Sequence, residues 1–99
     1  PLGVNVVRRD LPEGVMQRVL RVLGRSIDYG LAHRAPALEH ALRYGRGLDR
    51  SLADRFIGMY VNDLTRDLGE RGRSGIQEFL RRGHAIGLVP AAVPVEFAA

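Results

Sequence analysis

The sequence predicts a mostly α-helical segment that opens with one β-strand and closes with an extended tail. Three observations predict it. Apolar residues recur at spacings of three and four through most of residues 11–87, the period of a helix with one inward face. Residues 2–9 instead carry β-branched Val4, Val6 and Val7, with Leu2, Val4 and Val6 alternating onto one face. That strand has no good partner within the chain. The other strand-like piece, 93–97, contains Pro94, which confines it to an edge or to an extended docking arm. A lone strand cannot satisfy its own backbone, so its sheet neighbours are expected outside this chain. The expected layout is one segment, 1–99: strand 2–9, helical region 11–87 with four helices, tail 88–99.

Each element has its own signals. Asp10 is placed to cap the first helix, Pro12 suits a first turn, and Glu13 stands at a capping-box spacing. Val15, Met16, Val19, Leu20, Leu23, Ile27 and Leu31 then form an apolar stripe. Ala35 precedes Pro36 and is pushed out of helical geometry, so the helix should stop near His33 and Arg34. Pro36 restarts a short helix with Leu38, Ala41 and Leu42 inward, ended by Gly45-Arg46-Gly47. Asp49 caps a third helix, in which Leu52, Phe56, Ile57 and Tyr60 share a face. The character of the chain changes at Asn62-Asp63, and Leu68-Gly69 marks a helix end or sharp turn. A fourth helix follows from about Glu70 to Ile86, with Ile76, Phe79 and Leu80 inward. Gly72, Gly75 and Gly83 each weaken it by up to about 1 kcal/mol relative to alanine. Gly87 is a natural C-terminal cap, and Pro90 blocks continuation.

Composition narrows the function classes. Ninety-nine residues make one domain at most. The formal charge is +4, and all fifteen basic residues are arginine. They are scattered from Arg8 to Arg82 among eleven acids rather than clustered in a strip, which argues against nucleic-acid binding. No run approaches the roughly 18 apolar residues of a membrane span, so no membrane partner is expected. The absence of cysteine removes disulfides, thiolate catalysis and cysteine-ligated metals. The chain begins at Pro1, without a methionine or a visible signal peptide. With the unpartnered strand, that start is expected of a piece of a longer protein.

Few residues offer chemistry. His33, His40 and His84 lack metal-ligand spacing, so no metal site is expected. Asp63 and Asp67 would share a helix face and could do acid-base work, but capping turns or pairing with Arg66, Arg71 and Arg73 is favoured. Asn62 and Thr65 are local hydrogen-bonders that compete with helical backbone. No phosphate loop or serine nucleophile motif occurs. Asn5, the polar interruption of the strand, is the one candidate substrate contact. Ligands gather at strand ends in α/β proteins, and Arg8 or Arg9 could pair with a carboxylate there. A strand-end amide beside two solvated arginines is the favoured alternative.

Gly-Met-Tyr-Val-Asn-Asp-Leu-Thr-Arg-Asp-Leu-Gly-Glu-Arg-Gly-Arg (58–73) adds a different kind of information. It resembles the C-terminal region of the 1,4-dihydroxy-6-naphthoate synthase family, lyases of the futalosine route to menaquinone. Pro1–Asn5 followed by Arg8–Leu11, then Ser26–Arg34, Gly45–Asp49, Gly83–His84, Gly87–Pro90 and Val95–Phe97 support the resemblance along nearly the whole chain. It implies an α/β parent with the two-lobed fold of type II periplasmic binding proteins and a small-molecule substrate in the cleft. It implies cleavage of cyclic dehypoxanthine futalosine to 1,4-dihydroxy-6-naphthoate and dihydroxyacetone, in the cytoplasm and with no cofactor. The family's catalytic histidine is expected upstream, and no catalytic role transfers to His33, His40 or His84. This segment then mainly braces one lobe, its partner being the preceding part of the same polypeptide, and it is expected to be inactive alone. Chorismate dehydratase of the same pathway and fold, a non-catalytic solute-binding protein, and a free-standing helical interaction module are the competing readings.

Overall fold

The computed structural model describes residues 3–92 and 94–98. Five helices occur among them: α1 (Glu13–Ala32), α2 (Arg34–Leu42), α3 (Arg50–Tyr60), α4 (Asp63–Arg66) and α5 (Gly69–Ala85). The chain divides into two compact units, Pro1–Arg66 and Asp67–Ala99. In the first, α1 packs on α2 and α4, and α2 packs on α3.

The expected strand does not form. Among the described residues no strand is present, and residues 3–8 run without regular structure into a turn at Arg9-Asp10. The physical reason is the one the pattern carried: a strand exists only when a neighbour takes its N–H and C=O groups, and none does so here. Val6 is 92% exposed and Val4 is also exposed, so the residues of the expected inward face are uncovered.

α1 begins where expected but with a different cap. Asp10 makes no capping bond; Arg8 holds its carboxylate instead. Pro12 occupies the N-cap position, and its carbonyl accepts from Val15 and Met16 at 2.9 and 3.0 Å. The helix ends at Ala32, with His33 (φ −120°, ψ 49°) as the break. Ala35 is helical after all. Pro36 is the third residue of α2, where a first-turn N–H has no intrahelical acceptor to lose, so the break moves back to His33.

α3 starts as the sequence suggests: Asp49 Oδ1 accepts from Leu52 N–H at 3.0 Å. Leu38 of α2 and Ala53 of α3 are the buried hydrophobics among the described residues. Arg34 fastens the same two helices. Its Nε donates to Asp54 Oδ1 at 2.8 Å and its Nη2 to the Asp54 carbonyl at 3.0 Å.

In the second unit, Gly69 starts α5 at φ 58°, and Gly87 follows its end at φ 78°. That left-handed region suits glycine. Beyond the helix, Leu88 and Val89 donate to the Gly83 carbonyl at 2.9 and 3.1 Å, turning the chain back. Phe79, expected inward, is 75% exposed; α5 has one packed flank, on which Ile76 and Leu80 are half-buried. Described residues of the tail form no strand, and Arg73 lies over the Phe97 ring at 5.3 Å. Val93 of the expected extended piece lies outside the described residues.

Candidate functional site

Residues 58–65 of the 58–73 stretch fold into a closed hydrogen-bonded junction between α3 and α4. Asn62 is its centre. Asn62 Nδ2 donates to the Gly58 carbonyl at 3.0 Å, and Asn62 Oδ1 accepts from Leu64 N–H at 3.0 Å. Thr65 answers from three residues on: Thr65 Oγ1 accepts from Asn62 N–H at 3.1 Å and donates to the Tyr60 carbonyl at 2.6 Å. Thr65 N–H in turn donates to the Asn62 carbonyl at 2.8 Å. This is capping-box logic, with asparagine in the cap position and threonine in place of glutamate or glutamine. Both polar side chains are spent on backbone, so neither is left to meet a ligand.

The charged residues of the junction are likewise structural. Arg66 reaches α1 and donates to Asp28. Its guanidinium also lies over Gly24, where a Cβ would stand 3.5 Å from it. Asp67 Oδ1 accepts from Gly69 N–H at 2.9 Å and so fixes the turn into α5. Asp63 sits in the first turn of α4, where the helix dipole favours a negative charge. The acid-base alternative for Asp63 and Asp67 gains no support from this geometry.

Asn5 is exposed, and no hydrogen bond engages it among the described residues. Arg8 is held by Asp10, and their contact raises the arginine pKa and lowers that of the aspartate. The histidines are dispersed. His33 stacks on Tyr29 at 4.1 Å and its Nδ1 contacts the Tyr29 carbonyl at 2.9 Å. His40 is tilted against Tyr44, and His84 Nδ1 lies 2.9 Å from the Val89 carbonyl. No group of three or more potential metal-ligating side chains occurs among the described residues. No described helix is long and apolar enough to cross a membrane.

The sequence pattern predicts a single inward face on α1, yet Val15, Val19, Val22 and Leu23, with Arg18 and Ser26, line a shallow depression open to solvent. The signal was present in the width of the apolar stripe, since seven apolar residues span more of the helix circumference than one packed neighbour covers.

Comparison with known proteins places these features. The family described as "Menaquinone biosynthesis" matches residues 1–85. A 1,4-dihydroxy-6-naphthoate synthase of Streptomyces coelicolor is 39% identical over 98 residues, covering 95% of this chain and 33% of that protein. A protein of the same name from Thermus thermophilus is 32% identical over 88 residues, covering 89% of this chain and 32% of its own. The chain thus spans about a third of the length of these curated relatives. No solved structure matches it. The match over residues 1–85, with two relatives aligned along nearly the whole chain, shows that the chain belongs to the menaquinone biosynthesis family.

Proposed function

We propose that this segment is the C-terminal bracing part of a 1,4-dihydroxy-6-naphthoate synthase, a cytoplasmic lyase of the futalosine route to menaquinone. The whole polypeptide would convert cyclic dehypoxanthine futalosine to 1,4-dihydroxy-6-naphthoate in the cleft of a two-lobed, periplasmic-binding-protein-like fold. The observation that carries this reading is the near end-to-end match to two synthases about three times as long. Two physical features support it. The described residues assemble no catalytic group, which suits a part whose work is scaffolding. The exposed valines at 4 and 6 keep the alternation of a strand that lacks a neighbour, which suits pairing with a sheet supplied by the preceding polypeptide. Asn5 stands on that same stretch and is the residue we assign to substrate contact once the strand is paired.

A chimera tests this. The matching third of the Streptomyces coelicolor synthase is replaced by this chain, and release of 1,4-dihydroxy-6-naphthoate from the cyclic substrate is followed. Turnover within about tenfold of the parent supports the assignment. A soluble, folded chimera without turnover would overturn it, and turnover of chorismate instead would move the chain to the dehydratase. In an active chimera, Asn5→Ala is expected to raise KM at least fivefold. An unchanged KM would remove Asn5 from the site.

A further inference from the structure

α1 carries two apolar rows. Met16, Leu20, Ile27 and Leu31 lie on the flank of Gly24, over which the Arg66 guanidinium sits; Met16, Ile27, Leu20 and Leu31 are all half-buried. The second row, Val15, Val19, Val22 and Ser26, lies roughly 130° further round at 3.6 residues per turn. Val22 is 68% exposed and Val19 46%. Arg18, Arg21 and Arg25 run along one edge of this second row. All three are exposed, and none makes an ion pair among the described residues. The two acids of α1 are already engaged, Glu13 by Gln17 and Asp28 by Arg66.

We infer that this second face of α1 is a docking surface for the preceding part of the same polypeptide, through an apolar strip edged by carboxylates. The inference rests on the synthase reading above and assigns that reading its interface. Three considerations select this occupant. The relatives carry about two thirds of their length outside the match, so such a polypeptide has the residues to cover the row. A second copy is poorly suited in the antiparallel pairing, which would bring the arginine edges together while the acids of α1 are occupied. An anionic lipid surface favours tryptophan, phenylalanine or leucine on the apolar side of an in-plane helix, whereas this face is mainly valine, with Leu23 at its margin and no aromatic residue. Short β-branched side chains make a flat strip suited to close protein packing, and three guanidiniums along one edge select carboxylates.

The test places Val22→Cys, a conservative change in a chain without cysteine, in the chimera and in the 99-residue chain. Thiol labelling at that position is followed by peptide mass spectrometry. At least tenfold slower labelling in the chimera than in the shorter chain is expected. Arg18→Glu with Arg25→Glu should lower the chimera's Tm by several degrees and leave that of the 99-residue chain unchanged or higher. Equal labelling in an active chimera would overturn the docking face while leaving the synthase reading intact; an inactive chimera with equal labelling would remove both. Labelling of the 99-residue chain that slows as its concentration rises would assign the face to a second copy. Protection appearing only with phosphatidylglycerol vesicles would assign it to lipid. Either result overturns the proposal.

Discussion

Arg66 Nε donates to Asp28 Oδ1 at 2.5 Å across 38 positions of sequence, tying the family-like junction to the middle of α1. Both side chains are about half exposed, so the pair is worth a fraction of a kcal/mol to about 1 kcal/mol. Its consequence is positional. It lays the guanidinium over Gly24, where an added Cβ would meet it at 3.5 Å, an ordinary van der Waals distance. Gly24→Ala is therefore accommodated and gains helix propensity. It is expected to raise stability by up to about 1 kcal/mol, read as a higher urea midpoint. A loss of stability would show that the guanidinium cannot yield.

The Asn62 side chain serves two backbone groups, and its own N–H donates to the Thr65 hydroxyl. Asn62→Ala removes the acceptor for Leu64 N–H and the donor to Gly58. It should cost about 1–2 kcal/mol, the range for losing a helix cap. Thr65→Val keeps the shape but deletes the hydroxyl. It should cost about 1 kcal/mol, because Asn62 N–H then loses its acceptor. Denaturant melts of both variants check this. If Asn62→Ala were neutral, the junction would not depend on the cap.

Two glycines of α5 should respond with opposite sign. At Gly75 an added Cβ meets nothing within 4 Å, so Gly75→Ala stabilises by up to about 1 kcal/mol. At Gly83 it would stand 2.9 Å from Val89 Cγ2, and valine is stiff at χ1. The two backbone bonds from Leu88 and Val89 hold that turn against Gly83. Gly83→Ala should lose stability by about 1 kcal/mol despite its better propensity, from the strain of forced contact. Thermal melts of the pair settle the sign.

Glu78 receives two guanidiniums, from Arg81 at 2.6 Å and Arg82 at 2.7 Å. Hydrogen bonds from Arg81, then Arg82, lower its pKa from 4.5 to about 2. The folded value lies below the unfolded one. The contribution is therefore fully present above pH 4.5 and is lost as pH falls through about 2. The cluster is open to solvent, with the Glu78 side chain 42% exposed, so salt should weaken it. Carboxyl NMR titration is expected to give a Glu78 midpoint near 2 at low salt, moving up toward 4.5 in concentrated salt. Glu78→Gln should flatten the acid dependence of α5 helicity over that window. An ordinary midpoint at low salt would mean the arginines are not held.

The sequence by itself determined four of the five described helices and their limits to within a few residues, but not the single turn of α4. Asp49 needs only Leu52 N–H, and Gly87 only its own positive φ; such signals act within one turn and ask nothing of distant chain. It also carried the junction at 58–65, because asparagine and threonine close it with neighbours two to five positions away. The tertiary structure decided what depended on partners. Residues 2–9 have strand chemistry, but a strand requires a second backbone, and the described residues supply none. Asp10 could cap α1 or pair with Arg8, and the nearer guanidinium took it. α1 has more apolar surface than α2 and α4 cover, so half of its stripe became an interior flank and half a shallow depression open to solvent. Local bonding could be foreseen from residue order; burial could not, because it depends on what stands opposite.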